Sequence, residues 1–177
     1  MWFILADKVV FLDRDGVINV KAKPHDYIKT WQEFKFLPHV AEAIKELNIN
    51  GYKVVIISNQ QGIAKGFMSL VALGNIHANM CSLLKKNGAT IDDIFICPHA
   101  AGTCECRKPK IGLFLQAEEY YNVNKKQSYM IGDSKSDIEA GKNYGVRTIA
   151  INQESFGADF HCGSLREAVK YIFEEDK

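Results

Sequence analysis

The sequence predicts an α/β fold, a mostly parallel sheet with helices covering both faces, on three observations. Short apolar runs at 8–12, 53–57 and 128–131 carry little alternation, so both faces of those strands are expected to be buried. Segments of helical period separate them, the pattern of parallel strands joined by crossover helices. Each run ends at a polar signature, Asp13-Arg14-Asp15-Gly16, Ser58-Asn59-Gln60 or Gly132-Asp133. In such sheets ligands bind beyond the carboxyl ends of the strands.

Taken in order, strand 8–12 opens into a loop over 19–35 that is rich in Lys, His and aromatics and has no clear period. Pro38 starts a helix in which Val40, Ile44 and Leu47 share a face and Glu42, Lys45 and Glu46 are left to solvent. Gly51 ends it, and strand 53–57 follows. A helix over 69–86 has Gly74 as a weak point and Gly88 just beyond its end. Residues 91–97 alternate loosely as a third strand, 111–121 form a helix, and 128–131 a fourth strand. Asp137 caps a short helix ending near Asn143, and 146–151 is another strand. The last helix, 164–174, is capped by Ser164 and turns Leu165, Val169 and Ile172 inward. Trp31, Phe34 and Phe36 either close one side of a pocket or pack against the first helix.

A chain of 177 residues supports one core, so a single domain over 1–177 is expected. With 22 Lys and Arg against 21 Asp and Glu, the formal charge of +1 gives no bulk reason to expect nucleic acid or an anionic membrane as partner. No apolar run approaches the length of a membrane span, and the first ten residues lack a basic stretch followed by an apolar core. A cytoplasmic monomer is the default expectation.

The chemistry is concentrated at the strand ends. Asp13 and Asp15 sit where a strand opens into a turn that can bring both side chains to one pocket, and neighbouring carboxylates repel unless a cation offsets them. Asp133, after a separate strand, is the natural third oxygen ligand, and magnesium suits such a set together with phosphate and water. Phosphoryl transfer needs an in-line nucleophile, neutralised equatorial oxygens and a proton for the leaving alcohol. Asp13 is the expected nucleophile and magnesium ligand. Asp15 is the expected acid and then base, its backbone carbonyl also reaching the metal. Asp137 supports that shell. Ser58 and the amides near Asn59 donate to a phosphoryl oxygen, and Lys108 supplies positive charge to the same group.

This ordered set resembles the four motifs of the haloacid dehalogenase-like superfamily. The resemblance covers roughly 9–146 and implies a three-layer, Rossmann-like fold and an aspartyl-phosphate mechanism. Cys97-Pro98-His99 and Cys104-Glu105-Cys106 add three thiolates and an imidazole within ten residues, a complete tetrahedral shell for structural zinc in a loop over 97–106. Cys81, by contrast, reads as a small core group, and His161 and Cys162 as packing or surface residues.

With Asn59-Gln60-Gln61-Gly62-Ile63-Ala64-Lys65-Gly66 and Arg107-Lys108-Pro109, that loop resembles the bacterial heptose-bisphosphate phosphatases and the related histidinol-phosphate phosphatases, which carry zinc and lack a large cap domain. The heptose resemblance implies hydrolysis of the 7-phosphate of D-glycero-D-manno-heptose 1,7-bisphosphate, a small phosphorylated sugar used in surface polysaccharide assembly. Arg107, and secondarily Lys65, would hold the phosphate that is kept. The short spacer between His99 and Cys104 is more similar to the histidinol-phosphate type, so that substrate, or another sugar or polyol phosphate, stays open. Less favoured are a polynucleotide 3'-phosphatase, for which no basic, aromatic-interleaved surface is visible, and a non-enzymatic phosphoacceptor or zinc-stabilised binding domain.

Overall fold

The computed structural model describes residues 6–151 and 153–175. Six strands form one sheet in the order β3-β2-β1-β4-β5-β6. They are β1 (Val9–Leu12), β2 (Lys53–Asn59), β3 (Asp93–Cys97), β4 (Tyr129–Gly132), β5 (Arg147–Ile151) and β6 (Phe160–Cys162). All five pairings are parallel. Each strand expected from the sequence starts within two residues of its predicted position, and β6 is an addition, its three residues too few for a periodic signal.

The helices are α1 (Val40–Ile49), α2 (Leu70–Lys86), α3 (Gly112–Glu118), α4 (Lys135–Tyr144) and α5 (Leu165–Glu175). The strands explain why two helical layers are needed. Val10, Leu12, Val54, Ile56 and Ile131 point into a core shared with α1, α2 and α5. Their neighbours Val9, Phe11, Val55, Ile57 and Met130 point the other way, into a core with α3 and α4. A side-chain period of two makes each apolar run fill both cores, which is the three-layer arrangement the sequence predicts. Phe11 anchors the second core, with Phe114 4.8 Å away edge-on and Tyr144 5.8 Å away.

Two expectations change at the helix starts. Ser134, not Asp137, is the N-cap of α4; Asp137 is the third helical residue and completes a capping box with it. The first helix begins at Val40, two residues after Pro38. Trp31, Phe34 and Phe36 settle on the packing alternative. Trp31 stacks on Phe34 at 5.0 Å, Phe36 meets Phe34 edge-on, and all three join the α1 side of the core.

Central β1 has β2 on one side and β4 on the other. The chain leaves β1 towards β2 and β3 and returns on the opposite flank as β4, so the crossovers diverge beyond the end of β1. Asp13, Ser58 and Asp133 sit at or next to the carboxyl ends of β1, β2 and β4. Among the described residues, no helix is long and apolar enough to cross a membrane.

Candidate active site

At these strand ends an open cleft is lined by Asp13, Asp15, Lys21, Asn59, Arg107, Lys108 and Asp133, among others. Oxygens of Asp13, Asp133 and Asp137 lie within 4.8 Å of one another, close enough to share one cation. Two glycines make this approach feasible. A Cβ on Gly16, whose φ is +88°, would lie 2.3 Å from Asp133 Oδ2, and one on Gly132 would lie 2.1 Å from the Asp137 Cβ.

Lys108 is buried beneath the carboxylates and donates to Asp13 Oδ1 at 2.9 Å and to the Ile57 carbonyl at 2.7 Å. Its Nζ is also 2.7 Å from Asp137 Oδ1. Burial alone would discharge this ammonium, but Asp13 and Asp137 outweigh it and push its pKa up. The opposite balance holds at Asp13: burial raises its pKa to about 7 although Lys108 pulls it down. Burial raises Asp133 as well, against Lys21, whose Nζ is 2.6 Å from Asp133 Oδ2.

Asp137 has little freedom to act as a direct ligand. Its Oδ2 accepts from the Ser134 amide and hydroxyl at 3.1 and 2.7 Å, and Lys108 faces its Oδ1.

Asp15 is held differently from the other acids. Arg14 Nη2 donates to both its oxygens at 2.9 and 3.0 Å, Asn19 Nδ2 to Oδ1 at 2.9 Å, and Gln60 Nε2 to Oδ2 at 3.0 Å. Burial alone would raise the Asp15 pKa; Arg14, Asn19 and Gln60 together hold it below the ordinary carboxylate range. Sequence reasoning missed Arg14, Asn19 and Gln60, and it left Lys21 unassigned. Arg14 stands between two acids with no local signal of burial, yet it has no solvent exposure at all.

Ser58 is buried and accepts from Gln60 Nε2 at 2.9 Å. Asn59 spends both ends of its amide on the Lys108 backbone, accepting from its N–H at 3.0 Å and donating to its carbonyl at 3.1 Å. Arg107 lines the cleft, and its buried Nη1 has no hydrogen-bond partner among the described residues. Lys65 does not line the cleft; its Nζ lies 5.7 Å from the centre of the Tyr27 ring.

The cysteine group is a second converging set. Cys97 Sγ is 3.5 Å from Cys104 Sγ and 3.7 Å from His99 Nδ1, and Cys106 Sγ is 3.4 Å from Cys104 Sγ and 3.2 Å from His99 Nδ1. Thiolates about 2.3 Å from a tetrahedral metal lie about 3.7 Å apart, so the four donors match one ion's shell. Cys97 pairs in register with Asn59, and Lys108 follows Cys106 by two residues, so this group adjoins both parts of the clamp on Lys108.

Residues 8–167 match the model of the polynucleotide kinase 3 phosphatase family. The D-glycero-beta-D-manno-heptose-1,7-bisphosphate 7-phosphatase of Haemophilus ducreyi is 38% identical over 184 aligned residues, covering 95% of this chain and all of the relative. The D-glycero-alpha-D-manno-heptose-1,7-bisphosphate 7-phosphatase of Campylobacter jejuni is 36% identical, covering 96% of this chain and 98% of its own. The chain belongs to the heptose-bisphosphate phosphatase family. Its fold agrees: the D,D-heptose 1,7-bisphosphate phosphatase of B. bronchiseptica, a structure holding magnesium and phosphate, superposes with a TM-score of 0.86 at 29% identity, covering 95% of this chain and 99% of that one.

For this phosphatase the two converging groups have opposite donor chemistry. Hard carboxylate oxygens line the cleft, whereas three sulfurs and a nitrogen form the set beside it.

Proposed function

We propose that the enzyme, a single domain over 1–177, removes the 7-phosphate of D-glycero-D-manno-heptose 1,7-bisphosphate in the cytoplasm through an aspartyl-phosphate on Asp13, with no nucleic-acid or membrane partner. The observation that carries the bisphosphate reading is Arg107, a residue lining the reaction cleft whose buried Nη1 has no hydrogen-bond partner among the described residues. An arginine without an acceptor there is suited to a second, uncleaved phosphate. Lys65 would need to swing from Tyr27 to assist. The relatives above are named for both anomers, so the same wall accommodates either reading.

Asp13 would attack phosphorus while Lys108 and the Ser58 hydroxyl compensate the equatorial oxygens. Asp15 would give its proton to the departing sugar oxygen and then take one from the attacking water. Its donors hold it ionised in the resting cleft; the negative charge of a phosphate dianion beside it would oppose them and favour the protonated form. Asp13, Asp133 and the Asp15 backbone carbonyl would hold magnesium, with Asp137 behind them. That ion supplies the charge that lets carboxylate and phosphate oxygens approach.

Cys97, His99, Cys104 and Cys106 would hold zinc as a structural ion. Its removal is expected to lower turnover about tenfold to a hundredfold, because a loosened loop misplaces Lys108. Zinc, but not added magnesium, should restore it. Metal analysis beside activity and melting curves checks this, and unchanged activity and stability after verified zinc loss would refute it.

The substrate is tested by comparing turnover of alpha and beta heptose 1,7-bisphosphates with that of histidinol phosphate. Preference for histidinol phosphate would overturn the heptose reading. Arg107→Ala is expected to raise KM for the bisphosphate about tenfold or more while leaving that for a monophosphate within about twofold.

A further inference from the structure

Helix α2 buries Leu73, Ile76, Met80 and Leu84. His77 lies four residues from Leu73 and three from Met80, so a polar ring sits beside an otherwise apolar stripe. Its Nε2 is 3.2 Å from Arg14 Nη1, the same guanidinium whose Nη2 grips both oxygens of Asp15. A guanidinium has only donors, so this contact requires Nε2 to be bare and the ring neutral with its proton on Nδ1. Burial and Arg14 favour that form, lowering the His77 pKa to about 4.

Arg14 is wholly enclosed, so its fork cannot be oriented by water. Without an acceptor for Nη1, the guanidinium would be free to rotate towards other groups and would leave a buried donor unmade. The Asp15 carboxyl would lose the plane that sets its direction.

We propose that His77 is a positioning residue, an uncharged acceptor that fixes Arg14 and through it aims Asp15 at the oxygen leaving the phosphate. This rests on the reading of Asp15 as proton donor, and the test separates the two. His77→Met and His77→Gln have stems of similar length and suit a helix, but only glutamine keeps an acceptor. Both are compared with wild type and Asp15→Asn on two esters: the sugar phosphate turned over fastest, whose alkoxide needs a proton, and 4-nitrophenyl phosphate, whose leaving group does not.

Asp15→Asn should lower kcat/KM for the sugar ester far more than for the aryl ester, because that constant ends with departure of the leaving group and excludes the later water attack, common to both esters, in which Asp15 is the base. His77→Met should repeat that pattern in weaker form, with kcat/KM down about tenfold or more on the sugar ester and within about twofold on the aryl ester. His77→Gln should restore most of the loss. Equal loss on both esters in His77→Met, or no loss, overturns the positioning role while leaving Asp15 intact. If Asp15→Asn itself lowers kcat/KM on both esters alike, the donor reading fails and this proposal with it. Nitrogen NMR of the wild-type imidazole keeps the test open if His77→Met does not fold. A neutral Nδ1–H ring at neutral pH supports the role, and an Nε2–H ring or an imidazolium refutes it.

Discussion

Asp13→Asn is expected to lower turnover by more than about 10⁴-fold and to abolish any trapped phosphoenzyme, with the fold close to intact. The amide has nearly the shape of the carboxylate but is not a competent nucleophile towards phosphorus. Stability should change little because two effects oppose one another. The substitution removes one of the two anions facing Lys108, and it also removes a charge that is costly to bury and is repelled by Asp137 and Asp15, the causes that raise the Asp13 pKa to about 7. Lys108 keeps Asp137 and the Ile57 carbonyl. Acid quenching followed by mass spectrometry of the intact chain reads the intermediate, and a melting curve reads the fold. Retained steady-state turnover would take the nucleophile role from Asp13.

That prediction concerns a residue visible in the sequence, and the reason is physical. A buried strand must be apolar on both faces, so an acid immediately after Val-Val-Phe-Leu marks a strand end, and parallel strands put such ends on one side. The same argument places Asp133 after Tyr129–Gly132 and Ser58 at the penultimate position of β2. The cysteine group was legible for a local reason, four donors within ten residues.

What stayed hidden depends on partners distant in the chain. Nothing local shows that Arg14 is enclosed, because the ring that accepts from it stands on α2, 63 residues away. Lys21 meets Asp133 across 112 residues. Gln60 looks like an ordinary loop amide until Ser58 and Asp15 both prove to be its acceptors. Strand β6 is likewise tied to β5 by tertiary contacts, Asp159 Oδ2 accepting from the Thr148 amide and hydroxyl at 2.7 and 2.8 Å.

Lys108→Met should damage stability and activity together. One buried ammonium stands 2.9 Å from Asp13 and 2.7 Å from Asp137, so its loss leaves two enclosed carboxylates facing each other without a counter-charge. Breaking such a buried pair costs about 3–5 kcal/mol, a large share of the roughly 5–15 kcal/mol that holds a domain folded. At about 2–4 °C per kcal/mol for a chain of this size, the melting temperature should fall by roughly 6–20 °C. Turnover should fall by more than about 10²-fold, since the same charge compensates the phosphoryl group. The sign of the pH dependence distinguishes this cause from a packing defect. Asp13 already has a folded-state pKa raised from 3.8 to about 7, and without Lys108 it must rise further. A carboxyl raised in this way takes up a proton on folding, so its penalty is smallest at low pH and grows as pH rises through that window. The stability deficit of Lys108→Met should therefore shrink between pH 8 and pH 5. A deficit independent of pH would show that lost packing around the lysine stem, rather than uncompensated charge, is what the substitution removes.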